Sequence, residues 1–260
     1  MDVTALLIDI DGVLYVGDSP VAGADRTLAF LEEQGIAYRF VSNTTRRSRR
    51  SVAAKLAGLG YAVPEDLIVT SPVAAVARMQ ERGQSRCFLL ATGDLCRDFE
   101  QGGIEVAEKD VDAVIVGDAG ENFTYEKMNA AFRLLLEGAD LIALEKDRYW
   151  MGSDGLQLSA GPFVAALEYA AGVRAEVMGK PSREFFTLAL RQMGAEPGEA
   201  AMIGDDIFTD IGGARAAGLR GVLVKTGKYR EEAVRRSGIR PDLVIGSMAA
   251  LPEHLADGRR

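Results

Sequence analysis

The chain has 260 residues, of which 48% are hydrophobic, and its 30 basic and 38 acidic side chains give a formal net charge of −8. A chain of this length and composition can bury a large core, enough for one big domain or two modest ones. The acidic balance disfavours nucleic acid as a partner, because affinity for a phosphate backbone comes from basic side chains that displace its counterions.

Histidine and cysteine are scarce. His254 is the single histidine, and Cys87 and Cys96 are too few for a disulfide framework and lack the spacing of a zinc site. Nucleophiles that need a histidine base, and histidine-rich zinc centres, therefore have no obvious base or ligands. Any catalysis would depend on carboxylates, lysine and a metal ion.

Membrane insertion is not expected. No apolar run approaches the roughly 18 residues of a spanning helix, and the amino terminus lacks a basic region followed by an apolar one. We expect a cytoplasmic protein without a membrane partner.

In chain order, short apolar runs alternate with longer amphipathic segments. The first half of this pattern is strand "ALLIDI", helix "AGADRTLAFLEEQG", strand "IAYRFVSN", helix "RRSVAAKLAGLG" and strand "DLIVT". It returns at "FFTLALRQMG", "AAMIGDD", "DIGGARAAGL", "GVLVKT" and "PDLVIG". Strands alternating with helices predict an α/β fold with a doubly wound parallel sheet, which binds ligands beyond the carboxyl ends of its strands.

The middle of the chain has strands and helices of its own, among them "RCFLLAT", "DAVIVGD", "TYEKMNAAFRLLLEG" and "ADLIALE". That is enough sequence for a second domain. We predict a core domain formed by residues 1–75 and 178–260, with a smaller α/β domain inserted at residues 76–177.

Acidic residues follow two of the predicted strands. Asp9 and Asp11 end "LLIDIDG", and Asp205, Asp206 and Asp210 follow the strand in "MIGDDIFTD". Asp and Gly are ordinary turn residues, so one D-x-D-G alone could be a loop. Carboxylates gathered at the end of a buried strand repel one another, however, and a divalent cation would offset their charge most directly.

Two other segments carry groups suited to a phosphate. Ser42 and Asn43 precede a helix in "FVSNTT", and Lys180 precedes Pro181, which we expect in the first turn of a helix. The basic run at residues 46–50 is either a solvated helix face or an attractor of an anionic substrate.

"DIDGVLY", "VSNTT", "GKPS" and "GDDIFTD", in this order, resemble the four motifs of the haloacid dehalogenase superfamily of aspartate-nucleophile phosphohydrolases. The resemblance implies a Rossmann-like core with an α/β cap inserted between the second and third motifs, as in the NagD-like subclass IIA. Longer segments, such as "VMGKPSREFF" and "GVLVKTGKYR", resemble one branch of that subclass. This branch contains haloacid dehalogenase-like hydrolase domain-containing protein two and phospholysine phosphohistidine inorganic pyrophosphate phosphatase.

The resemblance also implies roles for single residues. Asp9 would be the nucleophile and Asp11 the general acid and base, and residues two apart on extended backbone share a face. Lys180 would stabilise the developing charge. Mg²⁺ would bind Asp9, the backbone carbonyl of Asp11 and Asp205, and Ser42 with the amide of Asn43 would bind the phosphoryl oxygens. Supporting roles fall to Asp206 near metal-bound water, to Asp210 as either a partner of Lys180 or a helix cap, and to Gly12 in a turn.

The implied activity is Mg²⁺-dependent hydrolysis of small phosphorylated metabolites, which include phosphomonoesters, phosphoamino acids and pyrophosphate. The loop "KDRYWMGSDG" supplies Arg148, Tyr149, Trp150 and Asp154, which would either contact a leaving group or only pack within the cap. Phosphoryl transfer to another acceptor and a receiver-like phosphoaspartate switch are the alternatives. A homodimer is also possible.

Overall fold

The computed structural model describes residues 1–152 and 154–255. The end of the predicted core domain, residues 256–260, and Ser153 of the predicted cap loop lie outside this description. Within the described ranges, no helix has both the length and the apolar character needed to cross a bilayer.

The strands are, in chain order, β1 (Ala5–Asp9), β2 (Tyr15–Val16), β3 (Ser19–Pro20), β4 (Ala37–Ser42), β5 (Ile68–Thr70), β6 (Arg86–Leu90), β7 (Glu105–Val106), β8 (Ala113–Val116), β9 (Asp140–Ala143), β10 (Tyr149–Gly152), β11 (Gly155–Leu158), β12 (Glu176–Val177), β13 (Ala200–Gly204), β14 (Arg220–Val224) and β15 (Leu243–Ile245). The α-helices are α1 (Ala24–Glu33), α2 (Arg49–Gly58), α3 (Ser71–Glu81), α4 (Cys96–Gln101), α5 (Tyr125–Leu136), α6 (Gly161–Ala171), α7 (Arg183–Arg191), α8 (Gly213–Ala217), α9 (Glu231–Ser237) and α10 (Leu251–Leu255).

The chain divides into two compact units. The first unit contains Met1–Ser42, Ala53–Val69 and the chain from Lys180 onward, and the second contains Asn43–Val52 and Thr70–Gly179. This division places the segment Asn43–Val52 with the second unit. The domain bounds at residues 75 and 178 stay a prediction.

The first unit is built on a six-stranded sheet in the order β15-β14-β13-β1-β4-β5. Strand β1 pairs in parallel with both β13 and β4, and β14 pairs in parallel with β13 and β15. All five residues of β1 are buried, as expected for a central strand whose two faces are covered. The predicted α/β fold with a parallel sheet is confirmed.

The second unit has its own sheet in the order β12-β9-β8-β6-β7, in which every neighbouring pair is parallel. The segment predicted as the loop "KDRYWMGSDG" contributes strand β10, which pairs antiparallel with β11. The expectation of a loop was wrong because Tyr149 and Trp150 favour extended backbone. Gly155, the first residue of β11, has φ +123°, a conformation that glycine adopts readily.

Candidate active site

Three strands of the first sheet end beside one another in polar residues. β1 ends at Asp9, β4 ends at Ser42, and β13 ends at Gly204, directly before Asp205. In the sheet register Asp9 lies beside Val41, so Ser42 is one residue further along the neighbouring strand. Parallel strands bring their carboxyl ends to one edge, so these residues share the edge at which α/β proteins bind ligands.

Lys180 lies between two carboxylates at this edge. Its Nζ donates to Asp9 Oδ1 at 2.6 Å and to Asp210 Oδ1 at 2.7 Å. The exposed fractions of the three side chains are 4% for Lys180, 11% for Asp9 and 1% for Asp210. One buried cation therefore faces two buried anions, and the group as a whole keeps negative charge when all three are ionised.

The pKa values of this group follow from burial and from the neighbouring charges. Burial removes water from the carboxylate and raises the pKa of Asp9, Lys180 opposes that rise, and Asp210 adds to it. Burial alone would lower the pKa of Lys180, but Asp210 and Asp9 outweigh it and raise that pKa above its ordinary value. Lys180 therefore stays protonated, and additional positive charge would favour the ionised form of Asp9.

Asp210 is a partner of Lys180 and not a helix cap. The cap is Asp206, whose Oδ1 accepts hydrogen bonds from the amides of Phe208 (2.9 Å) and Thr209 (3.1 Å) at the start of a π-helical turn, Ile207–Gly212. The second oxygen of Asp210 accepts from the amide of Asp206 at 3.1 Å. This places the carboxylate so close to the end of β13 that a Cβ on Gly204 would lie 2.3 Å from Asp210 Oδ2.

Asp205 completes an acidic cluster. Asp9, Asp205 and Asp210 are all buried, and each offers a carboxylate oxygen within 4.8 Å of the others. Burial raises the pKa of Asp205 to about 6, although the amide of Lys228, which donates to Oδ2 at 2.6 Å, opposes this rise. Oxygen ligands and concentrated negative charge are what Mg²⁺ prefers in proteins, so the donor set fits this ion.

Within this cluster, Asp9 and Asp205 suit a metal better than Asp210. Both oxygens of Asp210 accept hydrogen bonds, one from Lys180 and one from the amide of Asp206. The hydrogen bonds described above use one oxygen of Asp9 and one of Asp205. The structure thus groups the two predicted carboxylate ligands, with Asp210 beside them holding Lys180.

Asp11 and Gly12 lie just beyond β1. The strand ends at Asp9, so the alternation rule does not reach Asp11, which is exposed in the following turn. Gly12 has φ +84°, and its amide donates to the carbonyl of Tyr15 at 2.7 Å. The amide of Gly12 and the carbonyl of Asp11 belong to one planar peptide unit, so this hydrogen bond also fixes the orientation of that carbonyl.

The two predicted phosphate ligands, Ser42 and Asn43, are assigned to different units. Ser42 is the buried last residue of β4 in the first unit. Asn43, together with Thr44, begins the segment that belongs to the second unit. The expected helix after them starts at Arg49, six positions beyond Asn43. The free amides of that helix's first turn therefore do not directly follow Ser42 and Asn43 in the chain.

Lys180 does not precede a helical proline, contrary to expectation. Helix α7 begins at Arg183, and Ser182 is its N-cap, whose hydroxyl accepts from the amide of Phe185 at 3.4 Å. Pro181 therefore lies before the cap, in the segment that leads into the helix. The Lys180–Pro181 peptide bond is cis.

The four predicted cap residues lie on or beside the β10–β11 hairpin of the second unit. Tyr149 and Trp150 are 59% and 39% exposed, and the Arg46 guanidinium lies 5.7 Å from the centre of the Trp150 ring. Asp154 Oδ1 accepts from Gln157 Nε2, three residues further along the chain, at 2.6 Å. Arg148 is exposed just before β10.

Only part of the basic run is helical, because α2 begins at its fourth residue, Arg49. Arg46 forms an ion pair with Asp118 at 2.9 Å. Arg47 and Arg50 are exposed, and the amide of Arg49 donates to the Asp98 carboxylate. The run is thus divided between a structural ion pair and solvent-facing side chains.

Sequence reasoning missed one part of the site, the loop Lys225–Lys228 that follows β14. The amide of Lys228 is the partner of Asp205 described above, and the hydroxyl of Thr226 donates to the carbonyl of Gly12. The loop lies in "GVLVKTGKYR", a segment that resembles the branch, but nothing assigned its residues a role, and the only local signal was a glycine directly after the predicted strand "GVLVKT". A glycine in that position is too common to single out a site.

Two family models match this chain. One, described as a haloacid dehalogenase-like hydrolase, covers residues 6–105, and the other, described as HAD-hydrolase-like, covers residues 177–251. Over 251 residues the chain is 44% identical to haloacid dehalogenase-like hydrolase domain-containing protein 2 of Bos taurus, covering 96% of this chain and 95% of the relative. The chain belongs to the haloacid dehalogenase-like hydrolases.

Other members of this family extend the comparison. The chain is 42% identical over 254 residues to the phospholysine phosphohistidine inorganic pyrophosphate phosphatase of Xenopus laevis, covering 95% of this chain and 92% of the relative. Among solved structures it is similar to the p-nitrophenyl phosphatase of Archaeoglobus fulgidus, with a TM-score of 0.89, 30% identity and coverage of 98% and 100%. It is also similar to NagD of E. coli, with a TM-score of 0.85, 26% identity and coverage of 96% and 98%.

The membership confirms the resemblance read from the four motifs, including the NagD-like subclass, and it confirms the class of reaction. The chain is a phosphatase, a hydrolase that acts on phosphate esters.

Proposed function

We propose that this phosphatase is Mg²⁺-dependent and hydrolyses small phosphorylated metabolites through an aspartyl-phosphate intermediate on Asp9. The observation that carries the proposal is the buried pairing of Asp9 with Lys180 at 2.6 Å, at the end of a central strand and beside Asp205. A carboxylate in this position has a fixed direction, a cation to balance it and neighbouring oxygens for a metal.

In the first half-reaction, a carboxylate oxygen of Asp9 attacks phosphorus and the bond from phosphorus to the leaving oxygen breaks. Asp11 gives its proton to that leaving oxygen. In the second half-reaction, Asp11 takes a proton from water as the water oxygen attacks phosphorus, which releases phosphate and regenerates the Asp9 carboxylate. The exposure of Asp11 in the turn beyond β1 is compatible with exchange of protons with substrate and water.

Mg²⁺ would be held by Asp9, Asp205 and the backbone carbonyl of Asp11, and when bound it would supply positive charge that offsets repulsion between carboxylate and phosphate. Lys180 would contribute positive charge at Asp9 Oδ1, with Asp210 holding its ammonium group in place. Ser42 and the amide of Asn43 would bind phosphoryl oxygens.

The leaving group is the least constrained part of the proposal. The names of relatives include phospholysine, phosphohistidine and inorganic pyrophosphate, which supports small phosphorylated substrates as the class to test. Arg148, Tyr149, Trp150 and Asp154 are the residues of the second unit that we propose contact the leaving group. We also propose that the protein forms a homodimer.

The test is phosphate release from phosphomonoesters, phosphoamino acids and pyrophosphate, with Mg²⁺ or with chelator. Wild-type protein is compared with Asp9→Asn and with Asp18→Asn, a control at an exposed aspartate. Release that requires both Mg²⁺ and Asp9 is the expected result. Full activity of Asp9→Asn would refute the assignment of Asp9 as the nucleophile. A phosphorylated acceptor would indicate a transferase. Phosphorylation of the protein once per chain, without turnover, would indicate a switch.

A further inference from the structure

The loop Lys225–Lys228 contacts both segments that carry the proposed metal ligands. From one end of the loop, the Thr226 hydroxyl donates to the carbonyl of Gly12, whose amide belongs to the same peptide unit as the Asp11 carbonyl. From the other end, the Lys228 amide donates to Asp205 Oδ2 at 2.6 Å. The loop therefore joins the turn after β1 to the residue after β13.

Gly227 lets the loop approach this closely. Its φ is +57°, and a Cβ built on it would lie 2.0 Å from Asp205 Oδ2 and 2.6 Å from the Cα of Gly12. A Cβ on Gly12 would lie 1.9 Å from the same oxygen of Asp205. Two glycines and one amide thus lie close to Asp205 Oδ2, and a Cβ on either glycine would have to push the carboxylate away.

The Lys228 side chain serves a different purpose from its amide. Its Nζ is 3.8 Å from Asp206 Oδ2, and the side chain is 72% exposed. The contact to Asp205 therefore depends on the course of the backbone through Gly227 and not on which side chain follows it.

We propose that the loop Lys225–Lys228 is a positioning element that fixes the Asp205 carboxylate for metal binding, with Gly227 as its decisive residue. The inference rests on the proposed function, in which Asp205 is a ligand of Mg²⁺. Mg²⁺ demands near-octahedral geometry, so a displaced carboxylate loses affinity, and partners that hydrogen-bond to ligating carboxylates are known to tune metal affinity.

The test compares Gly227→Ala with Gly238→Ala. Gly238 also has a positive φ, +70°, but a Cβ there meets nothing within 4 Å, so both variants carry similar backbone strain and only one disturbs Asp205. Calorimetric titration with Mg²⁺ measures binding without turnover. We expect the Mg²⁺ dissociation constant to rise about 10-fold or more for Gly227→Ala, and to stay at the wild-type value for Gly238→Ala.

A second pair of variants avoids backbone strain. Thr226→Val removes the hydroxyl that donates to the carbonyl of Gly12 and should weaken Mg²⁺ binding. Thr226→Ser keeps a hydroxyl at this position and should bind Mg²⁺ as tightly as the wild-type protein. This pair decides the question if Gly227→Ala does not fold.

The outcomes separate the two proposals. Wild-type protein that binds Mg²⁺, with Gly227→Ala and Thr226→Val binding it equally well, would overturn the positioning role and leave the proposed function intact. Wild-type protein that binds no Mg²⁺ would overturn the metal-dependent mechanism, and the positioning role with it.

Discussion

At the scale of single residues, the defining feature is a lysine buried between two acids. An isolated buried ammonium or carboxylate is strongly unfavourable, and Lys180, Asp9 and Asp210 are tolerated because each is bonded to an opposite charge. The same arrangement holds Asp9 in one direction. Stability and proposed catalysis therefore depend on the same three side chains.

Removing the cation should reveal this dependence. Lys180→Met leaves two buried carboxylates facing each other, and we expect it to lower the free energy of unfolding by about 3–5 kcal/mol. Urea denaturation at neutral pH measures this change.

The matched control is Lys228→Met, which removes a largely exposed lysine 3.8 Å from Asp206 and should change stability by about 1 kcal/mol or less. Equal losses for the two variants would contradict a structural role for the buried pairing.

At the scale of elements, the residue at which a helix begins depends on its N-cap, and the sequence alone does not reveal which residue makes the capping hydrogen bond. Ser182 precedes α7 with extended backbone, and its hydroxyl accepts from the amide of Phe185. The proline in "GKPS" suggested a helix starting two residues earlier, at Pro181, but the serine after it makes the capping bond. Local hydrogen bonding, not the fixed φ of proline, decides where this helix begins.

We expect Ser182→Ala to lower stability by about 1 kcal/mol, because the amide of Phe185 loses its acceptor. Ser182→Asp should retain most of the wild-type value, since aspartate is also a good N-cap. Thermal unfolding of both variants checks this, and a Ser182→Asp variant as unstable as Ser182→Ala would show that the cap is not responsible.

The segment before α2 is held by an acid outside the proposed site. Asp94 accepts hydrogen bonds from the amide of Ser48 (2.9 Å) and from the hydroxyls of Ser48 (2.8 Å) and Ser51 (2.7 Å). Burial alone would raise the pKa of Asp94, but these hydrogen bonds outweigh it and lower the pKa to about 2. This carboxylate thus ties the basic segment to the start of α4 within the second unit.

A lowered pKa in the folded state has a defined consequence for acid stability. The contribution of Asp94 is fully present above its unfolded pKa of 3.8 and is lost as the pH falls through its folded pKa of about 2. Hydrogen exchange of the first amides of α2, followed from pH 5 to pH 2, should show protection falling in this window. In Asp94→Asn, the protection of the same amides should not fall in this pH window. An unchanged fall in Asp94→Asn would show that a different titrating group causes it.

At the scale of the whole molecule, the order of strands assembles the site. Strand β1 lies between β4 and β13, so residues more than 190 positions apart in sequence end side by side at one edge of the sheet. A ligand bound there contacts strands from both ends of the chain, and its binding energy therefore stabilises the first unit as a whole.

Mg²⁺ should accordingly raise the melting temperature. Binding to the folded state alone adds about 2.7 kcal/mol when free Mg²⁺ is 100 times its dissociation constant. Asp205→Asn should abolish the increase, whereas Asp18→Asn should keep it, as measured by scanning calorimetry with Mg²⁺ and with chelator. An equal increase in Asp205→Asn would place the ion elsewhere.

The sequence by itself determined the α/β class, the family and the strand ends at which the acids lie, because periodicity and motif order are local properties of the chain. The tertiary structure alone decided that Asp210 binds Lys180, that Asp206 caps the π-helical turn, and that β10 pairs antiparallel with β11. It also decided that Thr226 and Lys228 reach partners 214 and 23 residues away. Such contacts depend on how closely two backbone segments approach. The sequence around a glycine such as Gly227 does not reveal which atoms of distant residues lie next to it.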